Sequence, residues 1–76
     1  MEEISLREGE EFIKLGQLLK KAGMVGSGVD AKFVIQDGLV EVNGEVELQR
    51  GKKIYPDDVV SFNGESVKVI RWLLNL

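Results

Sequence analysis

The chain has 76 residues, with ten Lys and Arg against thirteen Asp and Glu, no His and no Cys. One small domain over residues 1–76 fits this length and two do not, while the absence of thiol and imidazole excludes nucleophilic Cys or His chemistry, disulfides and an ordinary zinc site. Taken whole, the formal charge of −3 argues against a polyanionic partner.

No apolar run approaches the ~20 residues of a membrane span. The N-terminus, Met1-Glu2-Glu3, is acidic and carries no basic-then-apolar leader. A cytoplasmic protein is therefore expected. An Asp-rich calcium loop is absent as well, so no metal and no cofactor are expected.

The net charge conceals a segmented distribution. Residues 1–11 carry five Glu against Arg7, and residues 37–47 carry Asp37, Glu41, Glu45 and Glu47 with no base. Between them, residues 12–36 hold Lys14, Lys20, Lys21 and Lys32 against Asp30 alone. Residues 48–55 hold Arg50, Lys52 and Lys53 with no acid. A fold that joins these two positive stretches would have a basic face in spite of its overall sign.

In chain order, Glu3-Ile4-Ser5-Leu6-Arg7 alternates in polarity and predicts a short strand. Phe12, Leu15, Leu18, Leu19 and Ala22 trace one helical face, which predicts a helix over 11–22. Glu10 and Glu11 suit its N-terminus, Lys20 and Lys21 its last turn, and Gly23 its C-terminal cap. Ser27-x-x-Asp30 resembles a capping box and opens a second helix over about 28–37, with Ala31, Val34 and Ile35 buried and Gly38 ending it. The period then changes to two. Leu39-Val40-Glu41-Val42, Asn43-Gly44 and Glu45-Val46-Glu47-Leu48 predict a hairpin with a type I′ turn. Its alternation assigns Val40, Val42, Val46 and Leu48 to the core and Glu41, Glu45 and Glu47 to water. After the basic loop Gln49–Lys53, Pro56-Asp57-Asp58 marks a turn. Val59–Phe62, Asn63-Gly64 and Ser66–Arg71 predict a second hairpin of similar design, and Trp72–Leu76 forms an apolar tail. The expected class is α+β: two helices on one face of a small, mainly antiparallel sheet of about four to five short strands.

Residues 14–44 also carry an ordered set of motifs. Lys14-Leu15-x-x-x-Leu19-x-x-x-Gly23 is followed by Ser27-x-x-x-Ala31-x-x-x-Ile35-x-x-Gly38-x-Val40-x-Val42-Asn43-Gly44. This resembles the alpha-L RNA-binding motif, the domain of small-subunit ribosomal protein S-four, which recurs in pseudouridine synthases, bacterial tyrosyl-tRNA synthetases and a small heat-shock ribosome-binding protein. Ile54-Tyr55-Pro56-Asp57-Asp58-Val59-Val60 is similar to that domain's closing segment, so the motif core spans about residues 12–62. The chain as a whole is similar to small stand-alone bacterial members.

The resemblance implies non-catalytic binding of structured RNA, either rRNA or tRNA, with ribosomal particles or an RNA-modifying enzyme as associated partners. It places basic contacts at Lys14, Lys21 and Lys32 and in the loop Arg50, Lys52 and Lys53. Ser27 falls at the head of the second helix, whose free amides face phosphate. Three positions depart from the pattern: Gly16 stands where Asp is usual, Gly28 where Arg or Lys is common, and Asp57 where Gly is usual. Asp tolerates unusual turn dihedrals, which makes the last departure conformational.

Helical spacing adds Lys20 and Gln17 beside Lys14 and Lys21, and Gln36 one turn after Lys32. Gly28 leaves room for close approach of a phosphate at the helix head. Together these residues predict a patch making roughly four to six phosphate contacts. Each also has an ordinary structural role open to it: Lys20 and Lys21 can complement a helix dipole, Lys14 can pair with Glu10 or Glu11, and Ser27 can simply cap. Tyr55 and Trp72 could stack on bases, but core or edge packing is the better reading for both. A different class of function, a protein-interaction module or a dimer, would use the tail Trp72–Leu76, although a monomer is expected. Without His, Cys, a nucleophile elbow or a phosphate-binding loop, no enzymatic role is expected.

Overall fold

The second helix begins at its capping serine, and both helices end at their capping glycines. The structure, a computed structural model, describes residues 1–72. Its order is β1 (Glu2–Ser5), β2 (Ile13–Lys14), α1 (Leu15–Lys21), α2 (Gly28–Gln36), β3 (Val40–Val42), β4 (Glu45–Val46), β5 (Lys53–Ile54), β6 (Val59–Phe62) and β7 (Glu65–Ile70).

Helix α1 closes with Gly23 at φ 73°. The Gly23 N–H donates to Lys20 O and the Met24 N–H to Leu19 O, both at 3.0 Å. Helix α2 repeats this closure: Gly38 has φ 75°, and the Gly38 and Leu39 N–H groups donate to Ile35 O and Val34 O at 3.1 Å. Only a residue free of a Cβ penalty takes that left-handed position cheaply, and the paired bonds satisfy carbonyls that a helix end would otherwise leave open. At the start of α2 the Ser27 hydroxyl accepts the Asp30 N–H at 3.1 Å, as the cap reading expects.

The main sheet has the order β1-β7-β6-β3-β4, and a separate two-stranded sheet pairs β2 with β5. All pairings are antiparallel except that of β1 with β7, which is parallel. Both hairpin turns behave as their Asn-Gly pairs predict, with φ 52° and 86° at Asn43 and Gly44 and 53° and 79° at Asn63 and Gly64. Asp57 has φ 77°, the left-handed conformation inferred from its place in the closing turn.

Leu15, Leu18 and Leu19 of α1, Ala31 and Ile35 of α2, and Val40, Val60, Val67 and Val69 of the sheet form one buried cluster with Leu6, Ile13 and Ile54. Both helices thus cover one face of the mixed sheet.

Two expectations are corrected. The first helix starts at Leu15 instead of residue 11, because Ile13 and Lys14 are extended and pair with Ile54 and Lys53. Ile13 is buried by that pairing, whereas Phe12 is only half-buried and lies outside the helix. Glu10 and Glu11 therefore do not serve the α1 N-terminus. Instead the Glu10 carboxylate accepts the Arg7 N–H at 2.7 Å in a turn that precedes it.

The second correction concerns the first hairpin. A two-residue turn sets Val42 opposite Glu45 and Glu41 opposite Val46. Directly opposed residues share a face, so Val46 joins Glu41 on the outer side and is 56% exposed. Leu48 is 57% exposed. Glu45 and Glu47 accordingly do not share the Glu41 face; the two arms of the hairpin alternate in opposite phase. The apolar tail expected at Trp72–Leu76 lies, beyond Trp72, outside the described residues.

Candidate nucleic-acid interface

The two positive stretches meet at the start of α1. Lys14, the residue before the helix, has extended backbone and offers no side-chain cap. The loop after the first hairpin supplies the missing acceptors. Leu15 N–H donates to Lys52 O at 2.9 Å, and Gly16 N–H donates to Arg50 O at 3.0 Å. Early amides of a helix have no intrahelical partner, so these bonds both complete α1 and hold the loop against it. The Lys52 N–H closes the loop on Gln49 O at 3.2 Å. The Arg50–Lys53 loop, which its Gly and basic composition mark as flexible, is in this way fastened at both sides.

This junction opens into a groove of about 400 Å³. Lys14, Gln17 and Lys20 line it from the α1 side, Gly28 and Ala31 from α2, and Arg50 and Gly51 from the loop. Gly16 completes its floor. Three cations border the groove and no acidic side chain does. Its floor is made of Gly and Ala, so the backbone is within reach of a bulky ligand. A Cβ placed on Gly28 would meet nothing within 4 Å, which makes the space over the head of α2 open. The Ser27 hydroxyl satisfies the Asp30 amide, leaving the Gly28 and Val29 N–H groups as the free end of the helix. Such an end attracts anions through its amides and its dipole.

The groove cations are not committed to acids. Among the described residues the ion pair is Lys68 with Asp57 at 3.8 Å, on an exposed surface away from the groove. Lys14 thus does not pair with Glu10 or Glu11. Instead it stands directly opposite Lys53 across the β2–β5 ladder, an arrangement that costs stability unless an anion offsets it.

Of the residues singled out from sequence, Lys14, Gln17, Lys20, Gly28 and Arg50 are brought together in the groove. Gln17 and Lys20 form a ridge, since they also line a neighbouring concavity of about 540 Å³ with Arg7, Glu10, Ile13 and Lys21. There the Lys21 ammonium donates to Ser5 O at 3.0 Å, tying the end of α1 to β1. Lys32 and Gln36 lie exposed along α2, one and two turns beyond Gly28, and neither lines the groove. Ser27 is half-buried and occupied as a cap.

Lys52 and Lys53 do not line this groove. They line a third concavity with Glu45, Glu47, Asn43 and Asp58, where the charges are mixed. The Lys53 ammonium sits 4.9 Å from the centre of the Phe12 ring, and that ring meets Tyr55 at 5.8 Å in a tilted contact. The ring occupies one side of Tyr55.

Sequence reasoning did not name Arg7 or the floor residues Gly16, Ala31 and Gly51 as site residues. Arg7 stands in an acidic stretch that masks it. Gly16 alone had a signal, its departure from the usual Asp.

The sequence model of the S4 domain matches residues 4–70. The chain belongs to the S4 domain family. The match reaches beyond the 12–62 span of the motif core at both ends, taking in the end of β1 and all of β7. Among S4 relatives, YbcJ of Escherichia coli (strain K12) is 43% identical over 58 residues, 76% of this chain and 83% of that protein. The "Probable ribosome maturation protein RlbA" of Bacillus subtilis (strain 168) is 44% identical over 54 residues, 71% of this chain and 76% of that one. The solution structure of YbcJ superimposes with a TM-score of 0.68 at 40% identity, covering 92% of this chain and 87% of YbcJ, and reveals in that protein an alpha-L motif involved in RNA binding. The helix pair and mixed sheet of this S4 domain are that motif's fold.

Proposed function

We propose that this S4 domain binds structured RNA, rRNA or tRNA, without catalysing a reaction on it, and that it does so in the cytoplasm in association with ribosomal particles or an RNA-modifying enzyme. The observation that carries this reading is the groove between α1, α2 and the Arg50 loop, with Lys14, Lys20 and Arg50 at its border and no acid among its lining residues. Membership of the S4 family and the alpha-L motif of YbcJ support it, and the name of the Bacillus relative favours a ribosomal setting.

The mechanism is electrostatic. Three uncommitted cations and the free amides at the head of α2 meet backbone phosphates, while small residues on the floor let the strand approach. Phosphate contacts orient an RNA without reading its bases, so selectivity comes from RNA shape. The acidic outer surface, including Glu41 and the N-terminal Glu residues, repels RNA docked in any other orientation. Lys32, Gln36, Lys52 and Lys53 extend the contact at its margins.

Fluorescence anisotropy with rRNA fragments and tRNA tests the reading. Three groove contacts give a log–log salt slope of about −2 to −3, at roughly −0.7 to −0.9 per phosphate. The triple variant Lys14→Glu, Lys20→Glu, Arg50→Glu should abolish binding while keeping a native circular-dichroism spectrum. Undiminished binding by that folded variant, or binding indifferent to salt, would overturn the proposal.

A further inference from the structure

Arg50 reaches the groove across an unusual contact. A Cβ built on Gly16 would lie 2.6 Å from Arg50 Cγ and 3.2 Å from Arg50 Cδ. Real Cβ atoms essentially never make a contact of 2.6 Å, so the stem of Arg50 occupies the volume that any other residue at 16 would fill. The obstructed atom is Cγ, near the root of the side chain. Relief therefore requires Arg50 to turn about its first side-chain torsion, which swings everything beyond it, guanidinium included. The backbone cannot move away instead, because Gly16 N–H is bonded to Arg50 O at 3.0 Å and Leu15 N–H to Lys52 O at 2.9 Å. Nor does the backbone conformation explain this glycine: Gly16 sits inside α1, outside the positive-φ set, where a glycine lowers helix stability.

We propose that Gly16 is the seat of Arg50, a positioning residue that holds the arginine stem flat on α1 and aims its charge at the groove. The proposal rests on the RNA-binding reading above and adds a specific determinant of affinity within it. A long, rotamer-rich side chain held in place before binding loses less freedom on meeting a phosphate than one that is free.

A double-mutant cycle on the full chain tests this, using anisotropy with an rRNA fragment bound by the wild type. Arg50→Ala should weaken binding about five- to tenfold and lower the magnitude of the salt slope by roughly 0.7 to 0.9. Gly16→Ala should weaken binding about three- to tenfold, the scale of freeing one long side chain. In the Arg50→Ala background the same substitution should change affinity by less than about 1.5-fold, well inside the coupling seen between residues in contact. In that background, where the obstructing Cγ is gone, its melting temperature should not fall, since alanine favours the helix; with Arg50 present, a native circular-dichroism spectrum at the assay temperature separates lost affinity from unfolding. In the free protein, nuclear Overhauser contacts from the Gly16 α-protons to the Arg50 γ- and δ-protons should be present, and should disappear from residue 16 in the alanine variant. If Arg50→Ala weakens binding but Gly16→Ala does not, the seat is refuted while the interface stands. If the two effects multiply independently, Gly16 acts other than through Arg50 and the seat is again refuted. If Arg50→Ala binds as wild type, both the seat and the place of Arg50 in the interface are overturned.

Discussion

The two Asn-Gly turns have the same backbone but different surroundings, and the difference makes a controlled experiment. Asn43 and Asn63 have φ of 52° and 53°, each followed by a left-handed glycine. The Asn43 side chain also reaches the closing turn: its amide nitrogen donates to Asp58 Oδ1 at 3.0 Å, and its oxygen accepts the Val59 N–H at 2.9 Å. The other Asp58 oxygen accepts the Tyr55 N–H at 2.8 Å. One asparagine thus fastens the first hairpin to the turn before the second. Asn63 makes no such side-chain bond among the described residues. Replacing either residue by Gly keeps the turn conformation and changes the chain entropy equally. Asn43→Gly additionally loses two hydrogen bonds, one of them to a carboxylate. At about 0.5–1.5 kcal/mol for each bond, and more for the charged one, the difference between the variants should be about 2 kcal/mol. For a domain of this size that corresponds to roughly 8–16 °C in melting temperature. Urea unfolding followed by circular dichroism measures it, with an unchanged denaturant slope confirming that the native state is intact. Equal loss of stability in the two variants would show that the asparagine bridge contributes nothing beyond its turn.

Two further outcomes follow from single residues. Ser27→Ala should cost about 1 kcal/mol in urea unfolding, the loss of a hydroxyl cap, while RNA affinity changes less than twofold; a large affinity loss without destabilisation would make Ser27 a contact instead of a cap. Asp57→Gly should raise stability by about 0.5 kcal/mol, because relief of the left-handed strain at φ 77° outweighs both the added freedom of the unfolded chain and an exposed pair with Lys68; a loss of 1 kcal/mol or more in the same assay would refute that ordering.

Local features were legible where the signal lies in neighbouring residues. Ser27, Gly23 and Gly38 mark helix ends because capping is a matter of a few consecutive backbone groups. The Asn-Gly pairs mark both turns for the same reason. The phase of the first hairpin was legible too, but only by counting across the turn: with 42 opposite 45, an even-numbered valine on one arm cannot share a face with an even-numbered valine on the other. Alternation read along each arm separately sends Val46 to the wrong side. The start of α1 was not legible. The apolar spacing from Phe12 onwards suits a helix, and only the pairing of Ile13 with Ile54 makes those residues extended.

The sequence by itself determined the class, the cap positions, the turns and the presence of two positive stretches. Tertiary structure decided which positive residues lie together. The decisive bonds, Leu15 to Lys52 and Gly16 to Arg50, join backbone groups far apart in the chain. Every residue carries such groups, so no side-chain pattern announces the pairing. Through it Arg50 enters the groove with Lys14 and Lys20, while Lys52 and Lys53, its neighbours in sequence, turn toward Phe12 and the hairpin acids. The turn at Arg50-Gly51, held to α1 by those bonds, divides one basic stretch between two surfaces.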